Sequence, residues 1–386
     1  MANDMDRREF LRRTSMAGAL AATGAPDLGA PGGSAHTAMT SAEPAVAANR
    51  QLDSQEFCLS EYDAMTPALR FTAKDATAAR AWKTTARQRL VERLGGFPAT
   101  RVALRPEILE TKDFGTYIRE KLVIQTRENL SAIAYFLLPA KRNGPVPAVV
   151  CYPGHGRGVI DIVGIAPDGT QRPPVAAQYA VGCVERGFAA LAIEPLGFGE
   201  RRDAAARKAG PEKYSCQPAA TAALLLGHTM IGVRVWDSMR AIDYLATRPE
   251  IDMARIAALG MSGGGTMSLF AAALDERVKV GVVSAYFNTW RDSIISISHC
   301  PDNYVPGLAR DMEMADIAGI LAPRYLFVES GRNDPIFPIA GSQRAAEHAK
   351  QIYRAHGVPE RFGYTIHDGA HSFDGVEAFA FLARTL

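Results

Sequence analysis

The sequence predicts an α/β fold: a mostly parallel sheet covered by helices on both faces, preceded by a helical N-terminal lead. Two observations predict it. Short apolar runs of strand length alternate with longer stretches of helical composition, at Val149, residues 189–193, 256–259, 278–284, 326–329 and 362–366. That alternation is the mark of a parallel sheet with helices on its faces. The residues with chemical potential also fall just past the ends of these runs, where ligand crevices form in such sheets.

The N-terminus precedes this pattern. Asp6-Arg7-Arg8-Glu9-Phe10-Leu11-Arg12 resembles a twin-arginine export motif, and residues 16–25 follow as a mildly apolar stretch ended by Pro26. At roughly ten residues it is too short to span a bilayer, which takes about 20. It reads as a signal h-region. Ala45-Val46-Ala47 and Gly33-Ser34-Ala35 offer small-x-small cleavage sites. Residues 1–47 are therefore expected to be a signal and low-complexity linker, recognised by the export machinery and removed on the way to the periplasm or the cell exterior.

Residues 48–110 read as a helical extension. Apolar Met65, Leu69, Trp82, Leu90 and Leu94 stand among charges over 64–93, and Gly95-Gly96 supplies a stop. A hairpin is expected next, with residues 117–125 and 132–138 as strands around Glu128-Asn129. The alternating strands and helices follow. Residues 233–247 read as the helix ahead of the central strand, with Arg234, Asp237, Arg240 and Asp243 at helical spacing as structural ion pairs.

The central element is Gly260-Met261-Ser262-Gly263-Gly264, a G-x-S-x-G between an apolar strand run and a small, apolar, proline-free helix run. Flanking glycines permit a sharp turn that lifts the serine hydroxyl above the sheet. A nucleophilic serine needs a base, and the base needs an orienting acid. After Ser262 the chain supplies both, each just past a strand. Asp334 lies in Arg332-Asn333-Asp334-Pro335 and His371 in His367-Asp368-Gly369-Ala370-His371. His367 competes with His371 but continues its strand. Asp368 and Asp374 are too close in sequence to the histidines to come from a separate strand.

The oxyanion formed in acyl transfer needs donors. The backbone N–H of Gly263 is one. The other is expected from Pro153-Gly154-His155-Gly156-Arg157-Gly158, through the main chain of His155. That loop makes a poor dinucleotide fingerprint, having no clear helix directly after it and no acidic residue ending a second strand where one is needed.

These segments, with Ile193-Glu194-Pro195-Leu196-Gly197-Phe198-Gly199-Glu200-Arg201 and Asp334-Pro335-Ile336-Phe337-Pro338, resemble the α/β-hydrolase superfamily, and within it the dienelactone-hydrolase-like and acetyl-xylan-esterase-like group. The resemblance runs from about Thr111 to the C-terminus and implies the α/β-hydrolase fold for 111–386. It implies a cofactor-free hydrolase of small carboxylic esters, with acetylated carbohydrate among the candidate substrates. The chain departs from acetyl xylan esterases proper, where glutamine usually follows the serine, and from dienelactone hydrolases, whose nucleophile is cysteine. A serine peptidase of the prolyl-oligopeptidase type shares the triad order, but the space before Thr111 is too short for its gating domain.

Two long connections, 200–232 and 285–321, follow strand ends. The second carries Tyr286, Phe287, Trp290 and His299, which suit either a substrate pocket or plain packing. Arg201-Arg202 with Arg207-Lys208 reads as a solvated basic face. The rest of the composition excludes more than it selects. Of the 386 residues 47% are hydrophobic and 22% charged, and the net charge of +2 implies no nucleic-acid partner. No stretch beyond the signal is long and apolar enough for stable membrane insertion. The five cysteines, Cys58, Cys151, Cys183, Cys216 and Cys300, contain no C-x-x-C, so no metal site is expected. Cys151 and Cys183 fall in or beside apolar runs and read as buried thiols. Cys216 and Cys300 could pair, but twin-arginine cargo folds before export, in a reducing compartment.

Overall fold

A computed structural model describes residues 50–210 and 213–386; the twin-arginine segment and both cleavage options lie outside them. The chain divides into two compact units, one ending at Asp63 and one running from Ala64 to Leu386. The described part of the first holds a helix, Ser54–Asp63, with no buried side chain.

The second unit begins without a helix. The sequence pattern predicts one from residue 64, but it starts at Ala76, where Asp75 accepts hydrogen bonds from the N–H groups of Thr77 and Ala78. Upstream, the backbone N–H groups of Ala68 and Leu69 donate to Arg310 and Asp311, so this stretch satisfies itself against another segment. The helix Ala76–Arg93 ends before Gly95-Gly96 as expected, and Gly95 adopts a φ of +89° that turns the chain away.

Among the described residues nine strands form one sheet: β1 (Glu107–Asp113), β2 (Tyr117–Arg127), β3 (Leu130–Pro139), β4 (Val146–Tyr152), β5 (Ala189–Ile193), β6 (Ile251–Met261), β7 (Val278–Ser284), β8 (Tyr325–Gly331) and β9 (Phe362–His367). Their order is β1-β2-β3-β5-β4-β6-β7-β8-β9. The pairs β1/β2, β2/β3 and β3/β5 are antiparallel, and every pair from β5 to β9 is parallel. Strand β1 has no counterpart in the sequence reading. All seven of its residues are exposed and four are charged, so it lacks the apolar signal. Charge on an edge strand also discourages pairing with other chains.

Helices Tyr179–Glu185 and Val376–Thr385 cover one face over Val149, Cys151, Ala190, Leu259 and Val282. On the other, Met230–Leu245, Gly263–Leu274 and Met314–Leu321 pack against one another. All twelve residues of Gly263–Leu274 are buried. Leu259, Phe270 and Val282 are fully enclosed, and truncating side chains of this kind typically costs about 2–5 kcal/mol. This core fixes the C-terminal ends of β4, β6, β8 and β9, the edge where the site assembles. Among the described residues no single helix is long and apolar enough to cross a membrane.

The two long connections fold into short helices: Ala204–Ala209 and Cys216–Leu225 in the first, Trp290–Ile295, Pro301–Asn303 and Leu308–Asp311 in the second, which ends in Met314–Leu321. Two electrostatic expectations are corrected here. Arg201 is not part of a solvated face: its side chain is 5% exposed and donates to Asp237 Oδ2 at 2.8 Å and to the Glu194 carbonyl. Arg234 does not pair within its helix either. Its guanidinium reaches Asp302 at 2.7 Å, while the expected helical partnership is kept by Arg240 and Asp243.

Candidate active site

Ser262 sits where β6 ends and the helix Gly263–Leu274 begins. Its φ of +57° and ψ of −122° lie outside the regions an ordinary residue prefers. Close packing enforces the turn. A Cβ on Gly264 would lie 1.9 Å from the Tyr152 carbonyl oxygen, and one on Gly260 would lie 2.1 Å from that of Gly264. Only glycine permits these approaches. The backbone N–H of Ser262 donates to the Ser284 carbonyl at 2.9 Å, fastening the turn to β7. The side chain therefore stands at a helix N-terminus, among N–H groups with no helical acceptor.

The loop after β4 lies against this turn. A Cβ on Gly154 would meet the Met261 carbonyl at 2.9 Å and Ser262 Cβ at 3.2 Å, and the Cα of Gly263 faces the His155 ring and backbone nitrogen. The two expected oxyanion donors, the backbones of His155 and Gly263, are thus neighbours.

Asp334 and His371 meet at 2.8 Å, His371 Nδ1 to Asp334 Oδ2. The turn after β8 prepares the carboxylate for this. Its other oxygen accepts from the backbone N–H groups of Ile336 and Phe337 at 2.8 and 3.0 Å, so one oxygen is fixed and the other left for the ring. Asp334 is 5% exposed, which strengthens the pairing. The competing residues are engaged elsewhere. His367 Nδ1 accepts from the Gly369 N–H. Asp368 is exposed and paired with Arg332. The Asp374 carboxylate accepts from the Val376 N–H through Oδ2.

Phe337 connects the pocket residues. Its ring stacks on His371 at 5.8 Å and also contacts Tyr286 at 5.3 Å and His299 at 5.6 Å. Tyr286 and His299 are thereby joined to the His371 side of the site. Among the described residues no ring contact joins Trp290 to it; its indole N–H donates to the Met312 carbonyl in the packed interior. Burial and the neighbouring His155 push His299 down to about 4, so the ring is neutral. Asn303 Nδ2 lies 3.2 Å from His299 Nδ1. An amide nitrogen only donates, so Nδ1 accepts and Nε2 carries the hydrogen.

Several residues of this region escaped sequence reasoning. Asp302 and Asn303 stand in an irregular connection without motif. Asn303 accepts from Thr266 Oγ1 at 2.9 Å, tying the connection to the helix after Ser262. Despite its burial, Asp302 is held well below the usual carboxylate range by His155 and Arg234. Burial alone would depress His155, but the Asp302 carboxylate 3.3 Å from Nε2 raises it to about 10. Cys216 and Cys300 are free thiols lying in this same cluster with His155 and Asp302. Cys151 and Cys183 are buried thiols, as expected.

Glu194 supports the loop from below. Its Oε1 accepts from the Val159 N–H at 3.1 Å, while Oε2 is buried without a hydrogen-bond partner. Gly158 and Gly199, both at positive φ, let two backbone turns close over the carboxyl group. In the sequence it is marked by its place just past β5 and by the segment 193–201 that carries the family resemblance.

A family model described as the Abhydrolase family matches residues 44–368, and the chain belongs to that family. It is 29% identical over 311 residues to the candidate hydrolase YtaP of Bacillus subtilis, covering 78% of this chain and 98% of that protein. Among solved structures it resembles a candidate acetyl xylan esterase from Bacteroides fragilis. The TM-score is 0.75 at 19% identity, over 87% of this chain and 96% of that one. It also resembles a glucuronoyl esterase from Solibacter usitatus, with a TM-score of 0.62 at 18% identity, over 83% and 97%. The fold is the α/β-hydrolase fold.

Glu194 yields a pH prediction. Burial raises its carboxyl from 4.5 to about 8, against the opposing pull of the Val159 N–H and Arg201. A raised folded-state pKa stabilises the fold fully at low pH, and the contribution is lost as pH rises through about 8. Glu194→Gln, neutral at every pH, should flatten the fall of melting temperature between pH 5 and 9 relative to wild type. Glu313 is raised in the same way and remains in both proteins, so the difference between the two curves is the readout. Parallel curves would show that Glu194 does not carry the effect.

Proposed function

We propose that the chain is a serine hydrolase of small carboxylic esters, with carbohydrate esters as the favoured substrate class. The observation that supports the reading is the Asp334–His371 pair at 2.8 Å, taken together with a strained serine at a helix N-terminus. The names of the structural relatives, acetyl xylan and glucuronoyl esterases, support the substrate class.

In this mechanism His371 Nε2 takes the Ser262 hydroxyl proton as Oγ attacks the ester carbonyl carbon. Asp334 holds the proton on Nδ1 and stabilises the imidazolium. The carbonyl π electrons move onto oxygen, and the backbone N–H groups of His155 and Gly263 receive the charge. As the tetrahedral intermediate collapses, His371 returns the proton to the departing alcohol. Water then repeats the sequence on the acyl-enzyme, releasing the acid and restoring Ser262. Phe337, Tyr286 and His299 form the wall beside His371, and the Nε2–H of His299 is a donor available to a polar substrate group.

Export is part of the proposal. Arg7-Arg8, the apolar stretch after them and the small-residue cleavage options support it. Replacing both arginines by lysine should trap the precursor in the cytoplasm, and unchanged export would point to another route.

Ser262→Ala should fold and lose on the order of 10⁶-fold in turnover of a chromogenic acetyl ester, and Asp334→Asn roughly 10⁴-fold. Short acyl chains should be preferred, because each extra methylene gains only about 0.8 kcal/mol until a small cleft is full. Acetyl, octanoyl and blocked prolyl-peptide substrates separate the readings. Residual activity above a few per cent in Ser262→Ala would remove the proposed nucleophile, and efficient peptide cleavage would favour a peptidase.

A further inference from the structure

We propose that His155, Cys216, Cys300 and Asp302 form a closed site for a thiophilic divalent cation of the zinc type, placed beside the oxyanion loop. One ligand atom from each of the four lies within 4.8 Å of the others. They arrive from three segments distant in sequence: the loop after β4, the first residue of the helix Cys216–Leu225, and the Pro301–Asn303 turn. Sequence spacing alone gives no metal signal for such an assembly.

Several independent observations favour a cation. Both thiols are free. His155 Nε2 is buried and faces Asp302 Oδ2 at 3.3 Å as an ion pair that lacks hydrogen-bond geometry. Coordination would give this nitrogen a directed bond. A Cys216–Cys300 disulfide would use only the two sulfurs and leave that pairing unimproved. Two sulfurs, one imidazole and one carboxylate are a borderline-soft set that suits zinc or cobalt and not calcium or magnesium. Zinc bonds of about 2.0–2.3 Å place tetrahedral donors roughly 3.3–3.8 Å apart, so the cluster needs to contract by about one ångström.

The charge also balances. Two thiolates and one carboxylate bring three negative charges, and the dication with Arg234 cancels them. Arg234 is already in place. Nη1 donates to Asp302 Oδ2 at 2.7 Å, while Nε and Nη2 donate to the Leu196 carbonyl at 3.0 and 2.7 Å. A cation here takes the place of the thiol and imidazole protons, and no oxidant enters. With four protein ligands there is no open position for substrate, so the ion acts as a fastener. It ties His155 to both covering segments and sets the loop whose main chain faces Ser262. The inference rests on donor geometry and is independent of the ester chemistry.

The test uses the full chain, prepared in zinc-supplemented medium under reducing conditions. Elemental analysis should find equimolar zinc. Metal-stripped protein titrated with Co²⁺ should develop intense tetrahedral ligand-field absorption together with a sulfur-to-cobalt charge-transfer band. Both should vanish in Cys216→Ser and in Cys300→Ser and persist in Cys58→Ser. The wild-type cobalt spectrum reports sulfur ligation by itself, so the test does not depend on the variants folding. Substoichiometric zinc with no charge-transfer band would overturn the site. So would a chain lighter by two hydrogens, with Cys216 and Cys300 joined in its peptide map.

Discussion

The contact of the Gly264 Cα with the Tyr152 carbonyl is the constraint on which the rest of the site depends. It brings the helix after Ser262 directly onto the end of β4, with no room for a side chain between them. Because β4 and β6 are adjacent and parallel, the loop leaving β4 and the turn leaving β6 emerge at the same edge. The serine is lifted by the turn, and the His155 loop is laid against it. A site of this kind belongs to the backbone first: the side chains act only because glycines allow two turns to touch.

Buried charge pairs then orient what packing has assembled. Asp302 and Arg234 are both almost fully buried and paired, as are Asp237 and Arg201. Such pairs are weak evidence for net stability, since desolvation offsets much of their attraction. Removing one partner nonetheless costs about 3–5 kcal/mol, because the other is stranded. Their effect here is geometric. Arg234 fixes Asp302 in the connection after β7, Arg201 fixes the segment after β5, and His155 is held between them. The covering connections are anchored parts of the site.

Much of this is legible in the sequence, and the reasons are physical. The apolar run 189–193 coincides with β5, which is buried along its whole length and has no polar position to blur it, and the run 278–284 coincides with β7, where the exposed Lys279 is the single charged interruption. Ser262, Asp334 and His371 each follow a strand in the chain order the sequence reading uses, and of the three the structure brings Asp334 and His371 into contact. Strand β1 is invisible because an exposed edge strand carries charges in place of an apolar pattern. The lead helix reads too long because its apolar positions continue through Pro67, whereas Asp75 sets its true start. Helical spacing pairs Arg234 with Asp237, yet both are taken by distant partners, and no local rule contains that choice. The cluster of His155, Cys216, Cys300 and Asp302 lies beyond sequence reading for the same reason.

The central claim, that Ser262 is an activated nucleophile served by His371 and Asp334, is tested most directly by covalent trapping. The protein is treated with a fluorophosphonate, and the modified residue is identified by peptide mass spectrometry. The account predicts one adduct per chain, on Ser262, formed far more slowly when His371 is replaced by alanine. Modification at another serine, or labelling of Ser262 at the same rate without His371, would contradict it.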